Sequence, residues 1–524
     1  MSYSSPYYLF LFLPLVLLIY QLLPSRFRWL ALLAASLSFY ALGSGKLIVF
    51  IIISTLSIYI AGLFLERIQR RHGSAAPNED RAARKLRRAK EKHLQHIVIL
   101  IAVLVNFGLL AFLKYYNFFV SEDNLLISAF LHSAQKMSLR KLIIPMGISF
   151  YTLEAVAYVT EVARGKTAPE HNYFHLLLFL SFFPTVTEGP ICSYADMHES
   201  LTAGAPITFE RFRRGTLRLL WGCFMKITIA DRAGMLVDNV FKQGDSAYGA
   251  SILLAVLLYT LQLYADFAGC IDIAAGSAEL FGIALPENFR QPFAAETVND
   301  FWRRWHITLG AWFRDYVYYP LSLSRPMRRI SDFCTRHFGM QRGAMVPTII
   351  ALLVTWLGTG LWHGASMKYV AYGLYYFLII LIEILVTDNG RKPGSSAPGA
   401  VWWRRARTFL LVSIGMMMFR ADSMHSFITM LGHMFQGFSL KILTDGTIRT
   451  LGLTRKDVAI LIFGIILISW IGHERLKGKE PADMVLQGSI PMAWTVYLCL
   501  IALVLIAGAY GPNYSPSDFL YAAY

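Results

Sequence analysis

Apolar stretches of about twenty residues alternate with short polar segments from Tyr7 to Tyr510. A helix needs about 20 mainly apolar residues to cross the hydrocarbon of a bilayer. By that measure the pattern predicts about twelve spanning helices: 6–24, 28–44, 46–65, 96–114, 142–160, 215–230, 249–268, 346–361, 368–386, 406–420, 456–472 and 491–510. A shorter apolar run at 173–186 is interrupted by Pro184. It predicts a re-entrant segment, since irregular backbone at depth has to be buried in protein. The expectation is an all-α integral membrane protein, a single polytopic domain over 1–524 with C-terminal helices across 456–510. Asp388–Ala400, rich in Gly, Pro and Ser, reads as a loop. No internal repeat is apparent, which argues against an inverted-repeat transporter.

Composition agrees with this pattern and narrows it. Of 524 residues, 56% are hydrophobic and 16% charged, and the mean hydropathy is +0.47. Soluble domains carry about 25% charged residues. Met1–Pro6 has no Lys or Arg ahead of the first apolar run, so that run is expected to stay as a span and not to be cleaved as a signal. The five cysteines are scattered without close pairs, which supports neither a disulfide framework nor a zinc site. No metal and no bound cofactor is expected.

The net charge of +16 would suggest nucleic acid in a soluble protein. In a membrane protein, cytoplasmic loops collect the basic residues. Ten Lys or Arg lie between Arg67 and Lys92, so the basic segment at 66–95 is placed in the cytoplasm and reads as a solvated helix near anionic lipid headgroups. By parity the remaining basic stretches, Arg211–Arg218, Arg303–Arg342, Arg391–Arg407 and His473–Lys479, also fall inside. Both termini fall outside. The partners expected are membrane lipid and no nucleic acid.

An ionisable group beside apolar spans is costly and marks a candidate functional site. Two histidines stand out. His306 lies in Thr297–Asp315, where Thr297 and Asp300 look like a helix-start capping pair. Trp302, His306, Leu309 and Phe313 follow at helical spacing, and Asp300 and Arg304 sit one turn apart and can pair. His363 closes an apolar span in Trp356–Ser366, with Gly358, Gly360 and Gly364 around it and Trp362 as an aromatic wall. Small residues there would let a backbone or a substrate approach closely. A neutral imidazole can act as general base toward a hydroxyl, because histidine's ordinary pKa lies near working pH. Ser366 lacks the Gly-x-Ser-x-Gly context of a serine nucleophile. Both histidines also admit a plain structural role, as a hydrogen-bonded core residue or a helix-ending turn. Parity sets His306 toward the cytoplasmic side and His363 toward the outer side. Two polar sites at opposite depths suggest a tunnel, with the donor entering from inside and the acceptor arriving outside.

At these residues the chain resembles the membrane-bound O-acyltransferases, the MBOAT family, and within it the bacterial branch that acylates alginate, peptidoglycan and teichoic acid. Ile144–Thr152, Phe182–Ile191, Lys226–Arg232, Tyr264–Gly269, Asn288–Phe293 and the two histidine motifs stand in the family's order. The resemblance covers roughly 1–420, with a core of about 100–420, and the tail Gly511–Tyr524 is similar to that branch's ending. It implies a ring of helices around a central tunnel, with interfacial helices. It also implies that His363 is the catalytic histidine and that His306 is the second motif position. The donor implied is acetyl-CoA or an acyl carrier protein on the cytoplasmic side. The acceptor implied is a cell-surface polysaccharide or an extracytoplasmic acetyltransferase partner, with the enzyme in the bacterial inner membrane. Trp302, Trp305, Trp362, Asp300, Arg303 and Arg304 are candidates for lining the substrate path. Arg303 and Arg304 suit an anionic donor, since guanidinium forks match phosphates. For Glu188 and Asp266, structural pairing is the expected role.

Two other functions use the same inventory. D-alanyl transfer to teichoic acid from a carrier protein is the alternative within the family, and the resemblance implies that the D-alanyl transfer proteins are shorter, without so long a segment after the second histidine motif. A transporter or flippase is the alternative outside it, and would leave no covalent change on the polymer.

Overall fold

The computed structural model describes residues 2–73, 80–130, 143–386 and 397–510. The tail 511–524 and most of the loop expected at 388–400 lie outside the described residues. Among the described residues every regular element is helical, and strand geometry is confined to one antiparallel bridge, Phe289 with Trp305. Such a chain satisfies its backbone polar groups within each helix, as hydrocarbon requires.

Among the described residues, seven helices are long and apolar enough to cross a membrane: Ser25–Arg71, Arg81–Tyr116, Ala250–Leu280, Met340–His363, Met367–Val386, Arg455–Leu476 and Ile490–Ala507. The first is interrupted by a 3-10 turn at Gly45–Leu47, so it takes up two of the expected spans. The remaining expected spans fall on other helices. The run 6–24 lies on the shorter apolar helix Tyr8–Leu22, and 406–420 on Pro398–Arg420. The run 142–160 becomes Ile148–Arg164, most of whose residues are buried, including Glu154 and Glu161. The run 215–230 falls on Phe209–Cys223 and a π-helical continuation, Phe224–Ala230.

The described residues of the basic segment at 66–95 form the solvated helix expected of it, with Ile48–Gly73 running into it and Arg81–Phe130 running out. The reason is composition: Ala, Arg, Lys, Glu and Leu are strong helix formers, and Glu66 and Arg70 pair across one turn. The basic side chains therefore project from two helix ends.

The chain divides into two compact units, Ser5–Thr208 with Ala278–Leu285 and Phe209–Ser277 with Pro286 onward. In the first, Ile48–Gly73 packs on Arg81–Phe130, Ile148–Arg164 and Tyr173–Ser181. The last of these covers the expected re-entrant run. It is 9 residues long, too short to cross, and the turns that follow through Thr185 stay buried, with Phe183 N donating to Ser36 Oγ.

In the second unit, helix Ala250–Leu280 meets Phe209–Cys223 and its continuation backbone to backbone. A Cβ on Gly276 would stand 2.6 Å from the Gly215 carbonyl and 2.7 Å from Leu219 N, and one on Gly269 would stand 2.9 Å from both Gly222 O and Lys226 N. Backbone atoms cannot turn aside as a side chain can. Gly276→Val is expected to destabilise the fold by about 1–3 kcal/mol or more. A melting temperature in detergent equal to that of the unsubstituted protein would contradict this close approach.

Candidate active site

Both histidines lie in the second unit, and the structure brings them together. His306 is 3% exposed and His363 4% exposed. The Trp362 indole stands between them, 5.9 Å from the His306 ring and 5.0 Å from the His363 ring, which caps their separation at about 11 Å. The hydrocarbon core is about 30 Å thick. The expectation that they face opposite sides of the membrane is therefore corrected: they share one buried aromatic cluster.

The backbone explains how His306 gets there. Thr297 accepts from Asp300 N at 3.0 Å, as the capping pattern predicts, and starts the short helix Val298–Trp302. Glu383 holds that helix start from outside, accepting from Val298 N at 2.8 Å and Asn299 N at 3.0 Å. A carboxylate suits the positive end of a helix. Arg404 and Arg407 anchor the preceding Glu296, at 2.7 Å to its carboxylate and 3.0 Å to its carbonyl. The helix then stops, and the expected helical face Trp302–His306–Leu309–Phe313 does not form. Asn288–Arg290 runs antiparallel to Arg304–Ile307, with Arg290 N bonded to Arg304 O at 2.9 Å and Ile307 N to Asn288 O at 3.0 Å. This pairing turns His306 into the left-handed region, φ 46° and ψ 52°, before helix Ile307–Phe313 begins. A non-glycine residue there costs about 1–2 kcal/mol, a form of strain that clusters at functional sites.

His306 packs edge-on against Phe267 at 4.8 Å, and its Nδ1 lies 3.2 Å from Asn288 Oδ1. Burial pushes this imidazole down to about 3 from its usual 6.5, so the ring is neutral throughout the working range. The sign of the linkage follows. Below pH 6.5 the unfolded chain takes a proton that the folded ring refuses, so the residue's contribution to stability is complete above 6.5. It falls as pH drops toward about 3, by up to about 1.4 kcal/mol per pH unit. Asparagine tolerates the left-handed backbone and does not titrate. Wild-type and His306→Asn melting temperatures should run parallel above pH 7 and diverge below 6.5, with wild type falling faster. Parallel curves down to pH 4 would contradict the buried neutral ring.

His363 is the last residue of Met340–His363. Tyr372 and Phe419 stand edge-on to it at 5.8 and 5.2 Å. The glycines around it serve helix packing rather than substrate approach. A Cβ on Gly360 would run into the Tyr369 carbonyl and one on Gly364 into the Tyr369 ring, while on Gly373, across the contact, it would strike the Trp356 carbonyl. Lys368, also buried, donates to the carbonyls of Phe419 (3.2 Å) and Ala421 (2.7 Å) and so fastens the ring that packs on His363.

The other sequence candidates separate clearly. Trp302 belongs to the cluster, with Trp356 at 5.1 Å and Tyr376 at 4.8 Å, and Tyr372 links it to His363. Its buried Nε1 has no hydrogen-bond partner among the described residues. Trp305 packs against Phe289, Phe301 and Tyr264 as core. Asp300 and Arg304 pair with each other at 3.0 Å, as their spacing predicts, and Arg303 is exposed. Asp266 is paired, with Lys226 at 2.7 Å. Sequence spacing does not mark Asn288, Glu383 or Lys368 as site residues. Asn288 lay in a stretch notable only by resemblance, and the other two act across more than fifty residues of chain. Among the described residues no group of His, Cys, Asp and Glu is placed to hold a metal.

The chain is 31% identical over 533 residues to a probable alginate O-acetylase of Pseudomonas putida, covering 99% of both chains. It is 28% identical over 455 residues to a peptidoglycan O-acetyltransferase of Helicobacter pylori, covering 81% of this chain and 78% of that one. With a teichoic acid D-alanyltransferase of Bacillus subtilis it shares 30% identity over 243 residues, 45% of this chain and 58% of that one. Residues 96–419, which hold both histidines and the cluster around them, match the MBOAT, membrane-bound O-acyltransferase family. The chain belongs to that family and is a multi-pass membrane O-acyltransferase.

Proposed function

We propose that the protein moves an acetyl group from a cytoplasmic thioester, acetyl-CoA or an acyl carrier protein, to hydroxyls of an extracytoplasmic polysaccharide, directly or through a partner acetyltransferase. The observation that carries this reading is the convergence of His306 and His363 on Trp362 in a buried aromatic cluster. His363 takes the proton of the acceptor hydroxyl as its oxygen attacks the thioester carbonyl. A C–O bond forms, the C–S bond breaks, and the proton passes to the leaving thiolate. His306, neutral and held at Nδ1, acts beside it as an orienting or accepting group. The cluster's apolar walls exclude water, which would otherwise take the acyl group.

A cleft in the same unit supports a donor route. Tyr264, Asp272, Asn288, Gln291, Ile468 and Arg475 line it, and Asn288 touches His306. Arg475 belongs to the basic stretch that the sequence places in the cytoplasm, so a tunnel from this cleft to the histidines would start on the donor's side. The Pseudomonas putida relative, aligned end to end, favours acetyl transfer. The teichoic acid relative matches less than half of this chain, which leaves D-alanyl transfer as the second reading.

Inverted membrane vesicles loaded with acceptor polysaccharide separate the two. Label from acetyl-CoA should appear as alkali-labile ester on the polymer. Label transferred only from a D-alanyl carrier protein would reject the acetyl reading.

A further inference from the structure

This inference rests on His306 serving the acyl transfer proposed above. Asn288, fully buried, meets His306 and Thr308 with a single oxygen: Oδ1 lies 3.2 Å from His306 Nδ1, 3.2 Å from the Thr308 backbone nitrogen and 3.0 Å from Thr308 Oγ1. Which way an asparagine amide points is read from its neighbours. Here Thr308 decides, because a backbone N–H can only donate and so must face the oxygen rather than the NH2 group. With the oxygen on that side, the imidazole nitrogen facing it must carry a hydrogen. A neutral imidazole has one N–H and one lone pair, so the lone pair sits on Nε2.

We infer that Asn288 is the positioning residue that fixes His306 in the Nδ1–H tautomer and presents Nε2 as its proton acceptor. The backbone keeps the pair in register. Asn288 O accepts from Ile307 N, and the Phe289–Trp305 bridge lies alongside. Thr308 holds the amide oxygen with two donors, so the oxygen cannot swing away from the ring without losing both. An amide fixes the tautomer without adding negative charge. That suits a ring which burial already keeps neutral.

The direct test is the 15N spectrum of histidine-labelled protein in nanodiscs, with the His306 signals assigned by their loss in His306→Asn. Wild type should carry its proton on Nδ1. Asn288→Asp keeps the acceptor oxygen and should keep that tautomer. Asn288→Leu, similar in size but without an acceptor, should shift to a mixture or to Nε2–H. Turnover of acetyl-CoA should follow the spectrum. Asn288→Leu is expected to lose about 10-fold or more in kcat with KM for acetyl-CoA nearly unchanged, and Asn288→Asp to lie closer to wild type.

A wild-type ring protonated on Nε2 overturns the inference, as does a folded Asn288→Leu with an unchanged spectrum. If Asn288→Leu does not fold, the wild-type and Asn288→Asp spectra decide. The spectrum needs no turnover, so wild-type protein inactive with acetyl-CoA would count against the proposed substrate and leave the tautomer result standing.

Discussion

His363→Ala should lower acyl transfer by about 10²–10⁴-fold, the usual contribution of a positioned general base, while the protein still inserts and folds. The separation of these effects follows from where His363 sits. It closes its helix, and the residues that seat that helix against Met367–Val386 are Gly360, Gly373 and the Trp356 and Tyr369 carbonyls, none of which the substitution touches. What alanine removes is the imidazole among Trp362, Tyr372 and Phe419. The apolar rings that remain can pack toward the gap, so the expected stability loss is small beside the loss of rate. Initial rates in vesicles with matched protein levels check this. A His363→Ala protein within about threefold of wild type would remove the residue from the chemistry.

The largest stability effect is expected at Lys226. Its ammonium faces two carboxylates, Asp231 at 2.8 Å and Asp266 at 2.7 Å, and Lys226 and Asp266 are each 1% exposed. Lys226→Met would leave the buried Asp266 and the half-buried Asp231 without the cation between them. Breaking one side of a buried ion pair costs about 3–5 kcal/mol, far more than an exposed pair is worth. The effect should reach the active site as well, because the next residue along the helix, Phe267, packs edge-on against His306. The triple variant Lys226→Met, Asp231→Asn, Asp266→Asn removes the stranded charges and should recover part of the lost melting temperature in detergent. A Lys226→Met protein as stable as wild type would contradict the account of this cluster.

Hydrophobic spacing made the fold class and most of the long helices legible in the sequence. It could not separate a lipid-facing span from a helix buried in protein. Ile148–Arg164 is apolar enough to read as a crossing, yet it is enclosed and carries two glutamates. Glu154 shows why this is tolerated: its carboxylate accepts from Cys192 N at 2.9 Å, a partner 38 residues away. The same limit applies at the candidate site. His306 and His363 stood out as ionisable residues in apolar, aromatic surroundings, and the local Thr297 and Asp300 contacts formed as their spacing predicts. The break in the helix at His306 did not show in that spacing. It is imposed by Asn288–Arg290, a segment whose pairing with Arg304–Ile307 has no periodic signal. For the same reason parity arithmetic set the two histidines on opposite sides, although a single indole joins them.

Ester-linked acetate on surface polysaccharide and on peptidoglycan tests the central claim most directly. It should be measured in wild-type cells, in a deletion strain, and in cells carrying His363→Ala at matched protein levels. Acetate on one of these polymers that disappears in both mutants is the result predicted for acyl transfer through His363. Acetate unchanged on both polymers in all three strains would contradict it.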